Sequence, residues 1–321
     1  MKKIIATLLV LVMVLGLVAC GGGGDTDSDA ALTVGVVQLV EHVALDAATQ
    51  GFQDALNAEM GEGAVNIKVQ NAQGDTNTCA TIVNSFVSEG VDLIMANATP
   101  ALQAAVAATV DIPILGTSVT EYGVALGIEG FDGLVGGNVS GTSDLAPLDQ
   151  QAAMLVEIFP DAQNIGLLYC SSEANSQYQI DVVKAELEAL GKTCATYAFS
   201  DSNDLAAVAT TAVENSDVIY VPTDNTVAAN TGIIDNIARP AQVPVIAGEE
   251  GICGGCGVAT LSISYYDLGY QTGVMAAQIL KGEADIAEME IAYAPQFTKK
   301  YNADIAAELG VEIPADYIVI E

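Results

Sequence analysis

The chain has 321 residues, 51% of them apolar, so it is too apolar for a disordered protein and long enough for two domains of about 130–150 residues each. It carries 9 Lys or Arg against 41 Asp or Glu, which gives a formal net charge of −32. Because proteins bind nucleic acids through clustered cations, this balance excludes a DNA- or RNA-binding function.

The N-terminus has the pattern of a bacterial export signal. Two lysines precede an apolar run over residues 4–18, shorter than the ~20 residues that a membrane-spanning helix needs. The run ends in Leu-Val-Ala-Cys, which resembles a lipobox, so residues 1–20 are predicted to be a lipoprotein signal peptide with Cys20 as the lipidated residue. An ordinary signal peptide with a chance cysteine is the alternative. Residues 21–31, glycine-rich and then acidic, predict a flexible tether, and we expect a lipid-anchored protein on the extracytoplasmic face of the cell membrane.

From residue 32 onward, short β-rich runs alternate with helical stretches, such as the one in which Leu45, Ala48, Phe52 and Leu56 recur at helical spacing. This alternation predicts βαβ units, and therefore an α/β fold with two doubly wound parallel sheets. The glycine- and proline-containing stretch 136–147 is the expected crossover between the two halves. The predicted strands are 32–38, 65–70, 91–96, 112–116, 165–170, 193–199, 218–221, 243–247 and 258–263.

Small polar residues follow several of these strands, where ligands bind in open parallel sheets. Thr99 suits the N-cap of a helix, and capping alone is one interpretation of all such residues. The other is that two lobes line one cleft with hydroxyls and helix N-termini, which can hold a carboxylate without arginine. Glu41, Glu173 and Asp224 are nearby carboxylates that could hold an ammonium group. Together these groups indicate a receptor for a zwitterion such as an α-amino acid.

Seven sequence blocks between residues 36 and 273 carry a family resemblance. They are VVQLVEHVALD, GF, NAQGD, ANATP, LYCSSEANS, YVPTDN and LGYQTG. In this order they resemble the ABC-transporter substrate-binding lipoproteins of the tryptophan/tyrosine-binding type. The resemblance implies a type I periplasmic-binding-protein fold, with two lobes joined by a multi-stranded hinge. It implies residues 32–145 plus 265–293 for lobe 1, and residues 146–264 plus 294–321 for lobe 2.

The strand ends and the resemblance together suggest the ligand contacts. Thr99 and Ser118 would approach the ligand from lobe 1, and Asp224 would take its ammonium group, with Glu173 as the alternative. Cys170 departs from the family pattern, which often has Asn there, so a direct contact from this position is in doubt. The candidate ligand-binding residues are Gln38, Glu41, His42, Leu45, Asn97, Thr99, Thr117, Ser118, Ser171, Ser172, Glu173, Asn175, Ser176, Asp224 and Asn225.

The resemblance implies the solute-binding component of an ABC importer, acting as a monomer with a permease and an ATPase. It favours an aromatic amino acid (tryptophan, tyrosine or phenylalanine) as the ligand. The alternative is another small solute, such as a non-aromatic amino acid, a sugar or a signal molecule. The chain has no Trp, so a stacking partner for an aromatic ligand would be one of its 11 Tyr or 6 Phe.

An enzyme on the same scaffold is a less favoured alternative. The chain has no GxSxG elbow, no phosphate-binding GxxxxGK[ST] loop and no GxGxxG after the first strand. His42 is the single histidine, which excludes metal sites built on two or more histidines. We therefore expect no catalytic residue, no metal and no cofactor. Cys253 and Cys256 have CxxC spacing and form either a local disulfide or two free thiols.

Overall fold

A computed structural model of the chain describes residues 32–320. The predicted signal peptide, Cys20 and the tether lie outside the described residues. Over this range the protein has the expected α/β fold, with strands and helices alternating along most of the chain. Within residues 32–320 no helix combines the length and the apolar character needed to span a membrane.

The secondary-structure elements are numbered in chain order. The strands are β1 (Leu32–Gln38), β2 (Val65–Asn71), β3 (Leu93–Asn97), β4 (Ile114–Val119), β5 (Val139–Ser143), β6 (Asn164–Cys170), β7 (Thr193–Phe199), β8 (Val218–Val221), β9 (Val245–Ala247), β10 (Ala259–Ser262), β11 (Ala292–Tyr293), β12 (Thr298–Tyr301) and β13 (Ile318–Val319). The helices are α1 (Val43–Met60), α2 (Thr76–Glu89), α3 (Thr99–Ala108), α4 (Tyr122–Leu126), α5 (Leu148–Ile158), α6 (Ala174–Ala189), α7 (Ser202–Glu214), α8 (Asn225–Ala228), α9 (Thr231–Ala238), α10 (Glu250–Cys256), α11 (Tyr265–Leu280) and α12 (Ala303–Glu308).

Lobe 1 is built on a six-stranded sheet in the order β2-β1-β3-β4-β5-β11, in which every neighbouring pair is parallel. All five residues of β3, Leu-Ile-Met-Ala-Asn, are buried because helices cover both faces of the sheet. Phe52 of α1 and Met275 of α11 pack on one face, and Phe86 of α2 and Leu102 of α3 pack on the other. The sheet is therefore doubly wound, as the near-continuous apolar strands predict.

Lobe 2 is built on a seven-stranded sheet in the order β13-β12-β10-β9-β8-β6-β7. Its neighbouring pairs are parallel except β10 and β12, which run antiparallel. Ile180 and Val183 of α6 belong to the core on one face, and Leu205 and Ala209 of α7 belong to the core on the other. Two sheets with helices on both faces confirm the predicted fold class.

The chain passes between the two sheets three times. It crosses after β5 through residues 144–147, after β10 through residues 263–264, and after β11 through residues 294–297. These segments form the hinge of the two-lobed fold. Since parallel strands of both sheets end near them, the polar residues that follow the strands lie beside the hinge.

Three glycines let α11 pack closely on α1 in lobe 1. A Cβ atom at Gly269 would fall on the carbonyl oxygen of Ala48, and one at Gly273 would fall on that of Phe52. A Cβ atom at Gly51 would likewise overlap the carbonyl oxygen of Tyr266. The close approach of the two backbones fixes α11, and with it the hinge segment that leads into its first residue.

The nine predicted strands are confirmed, with ends shifted by at most three residues. Strand β5 lies inside the stretch 136–147, which the sequence suggested only as a crossover, and β11, β12 and β13 were not predicted. The helix after β3 also starts differently from the expectation. Thr99 is its first residue instead of its cap, because Ala98 takes the N-cap position with a φ of 96° and no side chain that could cap.

Candidate ligand-binding site

Residues from both lobes and from the hinge enclose one cavity, which we call the polar cavity. It has a volume of about 10 Å³, room for roughly one water molecule. Almost all of its residues follow the carboxyl ends of parallel strands, as expected for ligand sites of this architecture. Its lining consists of His42, Ala44, Leu45, Ser118, Thr120, Asp144, Asn175, Thr223, Asp224, Asn225, Ala228, Glu249 and Tyr265.

Six of the fifteen candidate residues line the polar cavity. They are His42, Leu45, Ser118, Asn175, Asp224 and Asn225. The other nine do not line it: Gln38, Glu41, Asn97, Thr99, Thr117, Ser171, Ser172, Glu173 and Ser176. Three of these nine, Asn97, Glu173 and Ser176, are hydrogen-bonded through their side chains to lining residues.

In lobe 1 a buried hydrogen-bond network holds the start of α1 against the sheet. The hydroxyl of Thr49 donates to the side-chain oxygen of Gln38 at 2.6 Å, and the Gln38 amide donates to Asp46 at 2.6 Å. The amide of Asn97 donates to the backbone oxygen of Leu45 at 2.8 Å. Gln38 and Asn97 thus position α1 instead of facing the cavity. This differs from the expectation that both side chains contact the ligand.

Glu41 and Thr117 are two further lobe 1 candidates that lie outside the lining. Glu41 is exposed and borders a separate surface groove together with Gln38. Thr117 is buried, and its hydroxyl lies 3.1 Å from that of Thr142 in the neighbouring strand. Neither side chain reaches the polar cavity.

In lobe 2 the carboxylate of Glu173 organises the loop after β8. One of its oxygens accepts from the backbone N–H of Thr226 at 2.9 Å and from its hydroxyl at 2.8 Å. The other accepts from the backbone N–H of Asn225 at 3.1 Å and from its amide at 2.6 Å. The amide of Asn175 also donates to Glu173, at 3.4 Å, so all of these bonds come from the protein and Glu173 is a structural brace for this loop.

Asp224 is also bonded to the protein through both carboxylate oxygens. They accept from the backbone N–H of Val227 at 2.9 Å, as an N-cap, and from that of Cys170 at 2.7 Å. Burial, reinforced by the neighbouring Glu173 carboxylate, raises the pKa of Asp224. Asp224 lines the cavity but has no carboxylate oxygen that lacks a protein donor, in contrast to its expected role as the ammonium partner.

The serines of the loop after β6 bond within lobe 2. The hydroxyl of Ser171 donates to the backbone oxygen of Phe199, and that of Ser172 donates to the backbone oxygen of Ser200, both at 3.0 Å. Ser176 is buried and lies 3.3 Å from the amide nitrogen of Asn175. Ser171 and Ser172 thus tie the loop before α6 to the end of β7, and none of the three serines lines the cavity.

The hydrogen bonds around His42 determine which nitrogen carries its proton. Because the amide nitrogen of Asn225 donates to Glu173, its oxygen faces Nε2 of His42 across the cleft at 3.3 Å. Nε2 must therefore donate, and burial lowers the pKa of His42, so the ring is neutral. Nδ1 of His42 is then an acceptor, and it is buried with no protein partner.

Two further acceptors in the lining have no protein partner. Asp144 accepts from the hydroxyl of Tyr265 at 2.9 Å through one oxygen, while its other oxygen is buried and unpartnered. Burial raises the pKa of Asp144. The amide nitrogen of Asn175 donates to the backbone oxygen of Thr223 at 3.1 Å, which leaves its own buried oxygen unpartnered. Since buried polar groups normally have partners, these atoms are candidate acceptors for a donor group of a ligand.

Unpartnered hydroxyls lie on the lobe 1 side. Ser118 lines the cavity with a buried, unpartnered hydroxyl, and its φ of 54° is unusual for a residue other than glycine. The hydroxyl of Thr99, in the first turn of α3, is also buried and unpartnered. The backbone before it is strained at Ala98, whose φ is 96°. Strain of this kind costs about 1–3 kcal/mol per residue and concentrates at binding sites.

Glu249 was not among the candidate residues, although it directly follows the predicted strand 243–247. Its carboxylate accepts from the backbone N–H groups of Gly251 and Ile252 at the start of α10. Burial raises the pKa of Glu249 to about 7. Asp144 was missed because the strand that it follows, β5, was not predicted, whereas Tyr265 follows the predicted strand 258–263 and was not recognised as a site residue.

Comparison with known proteins gives a family match over nearly all described residues. The sequence model of the family described as ABC transporter substrate binding protein matches residues 33–320. A tyrosine-binding protein of Clostridioides difficile is 38% identical over 264 residues, which cover 81% of this chain and 75% of that protein.

Two solved structures are similar to this one over their full length. The structure of an ABC domain from Streptococcus pneumonia in complex with L-Trp has a TM-score of 0.86 and 33% identity, covering 91% of this chain and 100% of that one. The ligand-free, open structure of a substrate binding protein with adhesive properties from Clostridium difficile has a TM-score of 0.69 and 37% identity. The match covers 90% of this chain and 99% of that one.

Proposed function

The chain belongs to the ABC transporter substrate-binding protein family, and from this premise we propose that its polar cavity binds the α-amino and carboxylate groups of an aromatic amino acid. The protein is the solute-binding component of an ABC transporter and not an enzyme. Two similar proteins, one described as tyrosine-binding and one solved in complex with L-Trp, support the aromatic class. The observation that carries the proposal is the set of buried, unpartnered acceptors in the lining.

The ammonium group is proposed to bind Nδ1 of His42, the free oxygen of Asp144 and the amide oxygen of Asn175. An ammonium group has three N–H donors, and these are three acceptors that line one cavity without a protein donor. Asp144 also supplies the negative charge that compensates the ligand's positive charge in a buried site. The ammonium role thus moves from Asp224 to Asp144, because both oxygens of Asp224 already accept from backbone N–H groups.

The carboxylate group is proposed to lie near the start of α3, within reach of the Ser118 and Thr99 hydroxyls. The ten-residue helix offers unpaired N–H groups and the positive end of its dipole. The two unpartnered hydroxyls are independent support for an anion at this place. Arginine is not required, since Arg239 is paired with Asp235 at 2.7 Å and with Glu308 at 3.3 Å.

The lobes are proposed to be in their closed arrangement. The higher TM-score to the L-Trp complex than to the ligand-free, open structure supports this, although the second protein has the higher sequence identity. The bond between His42 of lobe 1 and Asn225 of lobe 2 crosses the cleft in this arrangement. We expect it to break when the lobes open to admit the ligand.

We also propose the cellular context that the sequence suggests. Residues 1–20 are a lipoprotein signal peptide, Cys20 carries the lipid, and residues 21–31 are the tether. The lobe boundaries are those proposed above, at residues 145 and 146 and again near residues 264 and 293. The monomer delivers its ligand to a permease that is driven by an ATPase.

A thermal-shift screen of the purified protein tests the function. We expect one or more of tyrosine, tryptophan and phenylalanine to raise the melting temperature, because a ligand that binds only the folded protein stabilises it. Sugars and aliphatic amino acids serve as the comparison set. A shift caused only by members of that set would contradict the aromatic ligand and identify the alternative solute class.

A further inference from the structure

A second cavity, which we call the side cavity, adjoins the polar cavity. Its volume is about 290 Å³, against about 10 Å³ for the polar cavity. Of these two cavities, the side cavity is therefore the one with room for an aromatic ring. The two cavities share Ala44, Glu249 and Tyr265 as wall residues. These shared residues place the two cavities next to each other.

We infer that the side cavity holds the aromatic ring of the ligand, and that Lys300 and Glu250 in its wall bind a phenolic hydroxyl and so select tyrosine over phenylalanine. This inference rests on the proposed function, because it assigns the second half of the same ligand. Nothing in the polar cavity distinguishes one amino acid from another, since its unpartnered groups match the α-amino and carboxylate groups that all amino acids share.

The walls of the side cavity suit a planar apolar ring. They include Val43 and Ala47 of α1, Ile263 of the hinge, and the rings of Tyr265 and Tyr266. Tyr265 is held in place because its hydroxyl donates to Asp144 in the polar cavity. A fixed tyrosine ring at the junction of the two cavities is a stacking partner of the kind that aromatic ligands use.

Lys300 and Glu250 line the side cavity but not the polar cavity. The ammonium of Lys300 donates to the Glu250 carboxylate at 2.6 Å, and both side chains are partly buried, at 28% and 30% exposure. A lysine ammonium has three donors and a carboxylate has several acceptor sites, so the pair keeps capacity for a further donor and a further acceptor.

A phenolic hydroxyl is both a donor and an acceptor, and the Lys300–Glu250 pair offers a partner for each function. The ring of phenylalanine has neither, so its binding would leave this partly buried pair without the additional bonds. Sites that hydrogen-bond a ligand hydroxyl discriminate strongly against the analogue that lacks it. The pair is therefore a specificity determinant for tyrosine.

Calorimetric titrations of tyrosine and phenylalanine into Lys300→Met and Lys299→Met test the inference. Lys299 is the matched control, because it precedes Lys300 in β12 but pairs with Glu157 at 3.3 Å and Asp316 at 3.0 Å, outside both cavities. We expect the wild-type protein to prefer tyrosine by about tenfold or more. Lys300→Met should weaken the binding of tyrosine alone and so bring the two affinities close to equality. Lys299→Met should keep the tyrosine-to-phenylalanine affinity ratio of the wild-type protein.

The inference would be overturned if Lys300→Met kept the tyrosine-to-phenylalanine affinity ratio of the wild-type protein. It would also be overturned if the wild-type protein bound the two amino acids equally well. In either case the proposed function would still stand. Failure of the wild-type protein to bind any aromatic amino acid would overturn both. If Lys300→Met does not fold by circular dichroism, Glu250→Gln gives the same information. It removes the charge of the second partner and should lower the tyrosine-to-phenylalanine ratio, and an unchanged ratio would again overturn the inference.

Discussion

At the scale of single residues, four buried carboxylates beside the cleft have different tasks. Glu173, Asp224 and Glu249 accept backbone N–H groups through both of their oxygens and brace loops in lobe 2. Asp144 alone among these four retains an unpartnered oxygen. Charge and burial alone would not separate the four residues, whereas the hydrogen-bond inventory does.

The first prediction compares Asp144→Asn with Asp224→Asn. Loss of the Asp144 charge should weaken amino-acid binding by about 10- to 100-fold, with little loss of stability, since it removes a buried charge. Asp224→Asn should instead lower the free energy of unfolding by about 1–3 kcal/mol, because an amide cannot accept both backbone N–H groups. Calorimetric titration and thermal unfolding of both variants measure the two effects. A larger affinity loss in Asp224→Asn would return the ammonium role to that residue.

The second prediction concerns pH. Burial raises the pKa of Glu249 to about 7, so between about pH 4.5 and 7 the folded protein holds a proton that the unfolded chain releases. Stability from this group is therefore present at low pH and is lost as the pH rises towards 7, by an amount on the order of 3 kcal/mol. The melting temperature without ligand should fall between pH 5 and pH 8.

Glu249→Gln should reduce the slope of this pH dependence without abolishing it, because burial also raises the pKa of Asp144 and Asp224. Glu283→Gln, a change at an exposed carboxylate, is the control. If the melting temperatures of Glu249→Gln and Glu283→Gln both change with pH as steeply as that of the wild-type protein, Glu249 is not a source of the pH dependence.

At the scale of elements, the strands buried on both faces could be predicted from the sequence. The runs that became β1, β3, β6 and β8 are mostly apolar because helices cover both sides of each sheet. Strand β5, Val-Ser-Gly-Thr-Ser, has no such run and was assigned to a crossover. The strands β11 and β13 have two residues each, which is too short for any periodicity.

Part of the site could be predicted from the rule that ligands bind at the carboxyl ends of parallel strands, and part could not. Ser118, Asn175, Asp224 and Asn225 follow strand ends and do line the cavity. The rule cannot tell which polar side chains there face the cavity and which bond to neighbouring loops. Asp144 directly follows β5 and so obeys the rule, but it could not be found in this way because β5 itself was not predicted from the sequence.

The third prediction tests the close packing of α11 on α1. Gly269→Ala should lower the free energy of unfolding by about 1–3 kcal/mol, because the added Cβ atom overlaps the backbone of Ala48. Gly232→Ala is the control, since Gly232 lies in α9 with open space around it and should gain up to about 1 kcal/mol from better helix propensity. Denaturant unfolding measures both, and equal stabilities of the two variants would contradict the packing argument.

At the scale of the whole molecule, the net charge is strongly negative. Of the seven Lys and Arg residues within 32–320, six form ion pairs with Asp or Glu. The seventh, Lys192, is buried and donates to the backbone oxygens of Pro160 and Ala162. The remaining acidic residues greatly outnumber these cations, so net repulsion among carboxylates opposes folding.

The fourth prediction follows from this repulsion. Raising the NaCl concentration from low values to about 1 M should raise the melting temperature, because salt screens the repulsion over distances beyond about 3 Å at that concentration. The exposed ion pairs lose strength as well, but each contributes less than about 1 kcal/mol. A melting temperature that falls with salt would show that the ion pairs outweigh the net charge.

The central claim is that buried acceptors from both lobes and the hinge hold the ammonium group of an aromatic amino acid. Calorimetric titration of the wild-type protein with tyrosine and with 3-(4-hydroxyphenyl)propionate, the same molecule without its amino group, tests it most directly. Tyrosine should bind with one molecule per chain, and the analogue at least about 100-fold more weakly, because it leaves three buried acceptors unpaired. Equal affinities for the two compounds would contradict the account.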